Sequence, residues 1–158
     1  MVLSRLSNFV QIIYLYHQAI FMKSLYTICY VSKTAPELKE QDIEELFNYT
    51  SKANNKNGVS GILLHSLGNF FQVLEGDEKH LLPLFEKIKE DPRHGEMYEV
   101  YNKRTTQPVF DNYKSTFDIV KNSKDLKTLI TYLNLDKSNS TNHKLKRLLK
   151  PFDMLGEF

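Results

Sequence analysis

Two short stretches of this chain are apolar on both sides of a strand, and this limits the possible folds more than any other feature. Residues 24–31 (SLYTICYV) and 70–74 (FFQVL) are rich in β-branched and aromatic residues and read as strands. Side chains alternate along a strand. In the first stretch Tyr26, Ile28 and Tyr30 share one face, and Leu25, Thr27, Cys29 and Val31 the other. In the second, Phe70, Gln72 and Leu74 oppose Phe71 and Val73. A sheet made of such strands needs cover on both faces.

The rest of the pattern supplies that cover. From about Lys39 the spacing of Ile43, Leu46, Phe47 and Thr50 predicts a helix; four residues on, Asn54 joins its inner face, and Asn57-Gly58 ends it. Residues 59–65 (VSGILLH) read as a strand, joined to 70–74 through a turn at Leu67-Gly68-Asn69. Leu81, Leu84, Phe85 and Ile88 predict a second helix, distorted by Pro83 and ending near Asp91-Pro92. Residues 97–101 and 112–117 read as two more strands. The expected fold is therefore α+β, a ferredoxin-like β-α-β-β-α-β(β) antiparallel sheet with two helices on one face. Two C-terminal helices follow, with stripes at Leu126, Leu129, Ile130 and Leu133 and at Leu145, Leu148, Leu149 and Phe152. They are expected to dock on the open face or on a partner chain, with N-caps offered by residues 138–142 (SNSTN).

A length of 158 residues suits one domain with extensions: 1–23 outside the core, 24–120 the domain, 121–158 the helical extension. The apolar run at 9–21 is broken by Gln11, His17 and Gln18, and is shorter than the roughly 20 residues of a membrane span. It also lacks the basic start and small-residue cleavage site of a signal peptide. It reads as a leader, with Met22 a candidate translation start. A net charge of +2 gives no general reason to expect nucleic acid or an anionic membrane as partner. Eight Lys/Arg against four Asp/Glu in 121–158 read as the solvated side of the last helices. The single cysteine, Cys29, suits a reducing cytoplasm. The five histidines lack paired metal-ligand spacing and there is no Cys-x-x-Cys, so no metal site is expected.

Two polar residues stand out of place. Gln72 interrupts what should be a central strand, and Tyr30 lies on the matching face of its neighbour. A buried amide left unpaired costs about 1–3 kcal/mol, so Gln72 needs partners. With Asn54 on the inner helix face, a phenol and two carboxamides converge between sheet and helices. They form either a small core network or a pocket for a planar, hydrogen-bonding heterocycle. Arg93, in the charged turn Asp91-Pro92-Arg93-His94, is a solvated cap or a phosphate grip.

These residues resemble the BLUF domains, blue-light sensors that use FAD. The resemblance rests on four ordered blocks: Tyr30 at the end of the first strand; Asn54-x-x-x-Gly58-Val59-Ser60-Gly61-Ile62-Leu63-Leu64; Phe70-Phe71-Gln72-Val73-Leu74-Glu75-Gly76; and Asp91-Pro92-Arg93-His94. It covers residues 24–119, and the last helices resemble those of stand-alone members. It implies a non-covalent FAD, or FMN, between the first two helices. Asn54 would bond the polar edge, Gln72 would sit between flavin and Tyr30, and Arg93 and His94, helped by Lys87 and Asp91, would flank ring and tail. Phe70 and Ile62 would be apolar walls. The mechanism implied is light-driven electron transfer from tyrosine to flavin with proton movement through the glutamine. The glutamine's hydrogen bonds then rearrange, by rotation or tautomerisation, and the spectrum shifts red until the dark state returns. The usual Trp and Met of the fifth strand fall here at Tyr113 and Ser115, both expected to face the pocket, and Tyr113 is a candidate second electron donor. The implied protein is not an enzyme, since about 40 residues without a cyclase or phosphodiesterase pattern follow the domain. It would signal to an unknown downstream protein or through self-association, and is expected to form a homo-oligomer. The rivals are an acylphosphatase-like enzyme, for which residues 31–34 (VSKT) supply no arginine or glycine, and a pigment-free interaction module.

Overall fold

A computed structural model describes residues 10–13, 24–114 and 117–155. Residues 10–13 are helical and exposed; the other leader positions, Met22 included, lie outside the described residues, as does Ser115. The elements run β1 (Leu25–Thr34), α1 (Glu40–Lys56), β2 (Ser60–Ser66), β3 (Asn69–Asp77), α2 (Glu78–Lys89), β4 (His94–Arg104), β5 (Phe117–Val120), α3 (Ser123–Leu133) and α4 (Ser140–Leu155).

The five strands lie in the order β4-β1-β3-β2-β5, so β3, which carries Gln72, is central. The first four strands are antiparallel, while β5 joins the β2 edge in parallel and makes the sheet mixed. Its place differs from the expected 112–117: the strand begins only at Phe117. The β2–β3 hairpin closes through Leu67 and Gly68, with φ of 52° and 72°, the two positive values that suit a two-residue turn to the right-handed twist of its strands. Gly61 also requires its missing side chain. With φ at 137°, a Cβ there would lie 2.0 Å from the Val73 carbonyl oxygen across the hairpin.

Each sheet face has its own core. On one, Ile28, Tyr30, Leu63, Phe70 and Leu74 pack against Leu46 and Phe47 of α1 and Leu81 and Phe85 of α2. On the other, Cys29, Ile62, Leu64, Phe71 and Val73 pack against Leu126, Leu129 and Leu133 of α3 and Leu145 and Leu149 of α4. The C-terminal helices thus cover the second face of their own sheet. Short polar side chains start α2, α3 and α4, each accepting a backbone N–H: Asp77 from Lys79 at 2.9 Å, Asn122 from Asp125 at 3.0 Å, and Asn139 from Thr141 at 2.9 Å.

Two side chains tie the long β4–β5 connection to the sheet. The buried carboxylate of Glu75, on the second face, accepts the backbone N–H groups of Val109 (3.0 Å) and Phe110 (2.8 Å) and the hydroxyl of Thr27 (3.2 Å). Burial pushes its pKa up, against these bonds. Asn55 of α1 accepts the N–H of Phe117 at 2.9 Å and donates to its carbonyl at 3.2 Å, holding the first residue of β5.

Candidate functional site

A slot opens between α1 and α2, floored by the sheet, with a volume of about 410 Å³. The strand parity that buries Ile28 and Leu74 on this face also brings Tyr30 and Gln72 to the floor, where they are paired across β1 and β3. The wall supplied by α1 is the stripe Leu46, Thr50 and Asn54, flanked by Tyr49, Ala53 and Asn57. Helical spacing of three and four residues accounts for that set. On α2, Lys79, His80, Pro83, Leu84, Lys87 and Ile88 line the opposite side, and Asp91, Arg93 and His94 close the end where α2 gives way to β4.

Seven of the nine residues expected at the site therefore line one cavity: Tyr30, Asn54, Gln72, Lys87, Asp91, Arg93 and His94. The other two do not. Ile62 stands opposite Val73 in the β2–β3 register and faces α3 and α4; Leu63, opposite Gln72, takes the place expected of it. Phe70 is on the correct face but behind the wall, its ring centroid 5.2 Å from that of His94 and 4.8 Å from that of His65. Tyr113 is a larger departure. It sits in the loop before β5, packed on the second face with its ring 4.7 Å from Tyr132 and 5.8 Å from Phe110, so it does not line the pocket. The late start of β5 causes the difference: without the strand, no alternation directs residue 113 toward the pocket.

The chemistry centres on one amide. The Tyr30 hydroxyl donates to Gln72 Oε1. The other half of the same carboxamide, Nε2, is buried and has no hydrogen-bond partner among the described residues. Exchanging the amide's N and O would satisfy the phenol oxygen and leave the carbonyl unpaired instead. Either way the protein completes half of the glutamine and leaves half for something else in the slot. That favours a ligand over a closed core network. A planar heterocycle with carbonyl and N–H groups on one edge fits this floor, and flavin is such a heterocycle.

The titratable groups around it are set by burial and by one ion pair. Burial, reinforced by the charge of Asp91, raises the Tyr30 pKa far above the usual phenol range, so Tyr30 is neutral at rest. Burial lowers that of His94, with Arg93 acting in the same sense and Asp91 against it. The His94 Nδ1 is 2.8 Å from Ser32 Oγ, which fixes the ring edge-on to Tyr30 at a centroid distance of 5.9 Å. The Arg93 Nε donates to both carboxylate oxygens of Asp91, at 2.9 and 3.1 Å. That guanidinium is therefore tethered at the slot's end, while no acidic partner is paired with Lys79 or Lys87 among the described residues. Leu63, Tyr49 and the polar start of α2 were absent from the expected set. The first followed from counting alternation through the hairpin; the others needed the helix-to-helix geometry. Cys29, whose thiol burial pushes up to about 12, lies on the second face and takes no part.

A ferredoxin-like sheet with a slot between its two covering helices, floored by a phenol–carboxamide pair, defines a small-molecule-binding architecture. Comparison with known proteins identifies the type. Residues 25–116 match the family described as "Sensors of blue-light using FAD", and the chain belongs to this BLUF family. It is 30% identical over 87 residues, 55% of its length and 10% of the relative's, to photoactivated adenylate cyclase subunit beta of Euglena gracilis. Identity is 34% over 76 residues, 48% of this chain and 19% of the relative, to the blue light- and temperature-regulated antirepressor BluF of Escherichia coli. Among solved structures, BlrP1 of Klebsiella pneumoniae with FMN and cyclic diGMP superposes with a TM-score of 0.63 at 30% identity, over 82% of this chain and 34% of that one. The chain thus spans about a tenth to a fifth of these curated relatives.

Proposed function

We propose that this chain is a blue-light photoreceptor that holds FAD non-covalently in the slot between α1 and α2. The half-satisfied carboxamide of Gln72 is the observation that carries the reading. When bound, the flavin absorbs blue light and in its excited state becomes a strong one-electron oxidant. Gln72 Nε2 and the Asn54 carboxamide would hold the polar edge of the ring, with Leu63, Leu46 and Ile88 as its apolar walls. His94 and the tethered Arg93 would border the ring, and Lys87 would face the phosphate-bearing tail. The same floor and walls also suit FMN, the flavin of the BlrP1 structure.

Tyr30 is sealed from water, and the acceptor of its phenolic proton is Gln72 Oε1. Loss of electron density from the phenol makes that proton strongly acidic and drives it onto Oε1. The carboxamide then has two outcomes that keep its atoms paired. With a bound flavin as the acceptor of one proton from Nε2 it would persist as the imidic tautomer; with the Oε1 proton returned to the phenol it would rotate and present Nε2 to the phenol oxygen. An amide donates at one end and accepts at the other, so both outcomes invert what Gln72 offers to the slot. Because β3 is central, a changed bond at Gln72 is felt by β1 and β2 at once, and Glu75, three residues on, relays the strain to the β4–β5 connection on the second face. A rearranged buried amide is worth a few kcal/mol, enough to bias two packings.

We infer that output passes through protein contacts, to a downstream protein or a second copy of the chain, by the outer surfaces of α3 and α4, and not through catalysis at the slot. The relatives' names describe an antirepressor and a cyclase subunit; which output this chain serves is for its partner to define. No helix among the described residues is long and apolar enough to cross a membrane. The single reduced cysteine supports a cytoplasmic setting. The test is the purified chain loaded with FAD under a blue lamp. Its flavin band should shift red and recover in the dark, and Tyr30→Phe should bind FAD without that shift. A preparation that takes up no flavin, or one indifferent to blue light, contradicts the reading.

A further inference from the structure

We propose that Tyr49 is a second electron donor at the photosite, one that releases its proton to water and so draws excitation away from the Tyr30–Gln72 pair. The inference rests on the flavin-holding reading of the slot. The chain has nine tyrosines and no tryptophan, so its phenols are its readiest aromatic reductants. Among the described tyrosines only Tyr30 and Tyr49 line the slot. Tyr113, the second donor expected from sequence, lies on the opposite face of the sheet. Tyr49 borders the Asn54 stripe on α1, and its side chain leans back toward the helix start. It thus borders the end of the slot closed by Asp91 and Arg93, within electrostatic reach of the Arg93 guanidinium.

The two phenols differ in where the proton can go. Tyr30 is 0% exposed and its proton can pass only to Gln72, from which it returns; Tyr49 is 67% exposed and faces solvent. Oxidation of Tyr49 would send one electron to the light-excited flavin and one proton from the phenol to water, with an equal proton drawn by the flavin from water. Back-transfer of both restores the starting state. No hydrogen bond of Gln72 changes along this route, so it yields a radical without the red shift.

The test pairs a chemical readout with a spectroscopic one. Nitration by tetranitromethane, mapped by peptide, should fall at least fivefold at Tyr49 when FAD is added to the flavin-free chain. Tyr98, 72% exposed and outside the slot, serves as the unprotected control. Under blue light the FAD-loaded Tyr30→Phe protein should give a tyrosyl radical by electron paramagnetic resonance. Tyr30→Phe/Tyr49→Phe should lose at least nine-tenths of it, and Tyr49→Phe alone should raise the yield of the red shift. Equal nitration with and without FAD, or an undiminished radical in the double variant, overturns the inference while leaving flavin binding intact. A chain that takes up no flavin overturns the site reading and the inference together.

Discussion

At the scale of single residues, the site is governed by groups denied water. Gln72 and Tyr30 were legible in the sequence because a polar residue inside an apolar alternation must be paired, and alternation says on which face. Ile62 shows how narrow that logic is. It and Leu63 are equally apolar, and a count shifted by one residue moves the choice to the other face. Leu63→Ala should therefore weaken flavin affinity, read by fluorescence titration. Ile62→Ala should leave affinity unchanged but cost about 3 kcal/mol of stability, the usual range for a buried aliphatic truncation. The histidines set the pH response. Burial holds His65 and His94 below their usual pKa of 6.5, so as pH falls the unfolded chain protonates first. Stability they contribute is present above about 6.5 and lost below it. Glu75, with its pKa raised by burial, has the opposite sign and acts from its usual 4.5 upward. The thermal midpoint of the flavin-free chain should drop between about pH 7.5 and pH 5, and His65→Asn should flatten the drop. A midpoint rising toward pH 5 would show that the acid side controls.

At the scale of elements, their order along the chain and the β2–β3 hairpin followed from the sequence pattern, but β5 did not. Residues 112–117 look like a strand by composition, yet the strand begins at Phe117, where Asn55 captures both backbone groups. A side-chain clamp from a helix 62 residues away leaves no trace in local pattern. Glu75 is similar: its role is to accept two N–H groups of a distant connection, which no window of sequence displays. Glu75→Ala should cost about 2 kcal/mol, since two buried donors lose their acceptor while a carboxylate is spared burial. Hydrogen exchange at Val109 and Phe110 should accelerate with it; unchanged exchange there would remove Glu75 as the clasp of the connection. Gly61→Ala should cost at least about 3 kcal/mol, measured by denaturant midpoint, because the new Cβ collides with the Val73 carbonyl in a backbone region that favours glycine. A near-neutral change would mean that the hairpin opens at no expense to β3.

At the scale of the whole molecule, the decisive property is a sheet apolar on both sides. One face holds the slot, and the other binds the helices from which output is inferred to pass, with Gln72 and Glu75 on one strand between them. Removing residues 121–158 would expose Ile62, Leu64, Phe71 and Val73 together, and such a chain should self-associate or precipitate on size exclusion, whereas a soluble monomer would show that the second core is dispensable. Photochemistry in this molecule turns on the unpaired half of the Gln72 carboxamide facing the pigment. The decisive measurement is the light-minus-dark absorption spectrum of FAD-loaded Gln72→Leu, recorded beside the unaltered chain. A reversible red shift is expected in the unaltered chain and none in the variant, with flavin retained in both. A shift that survives in Gln72→Leu would contradict it.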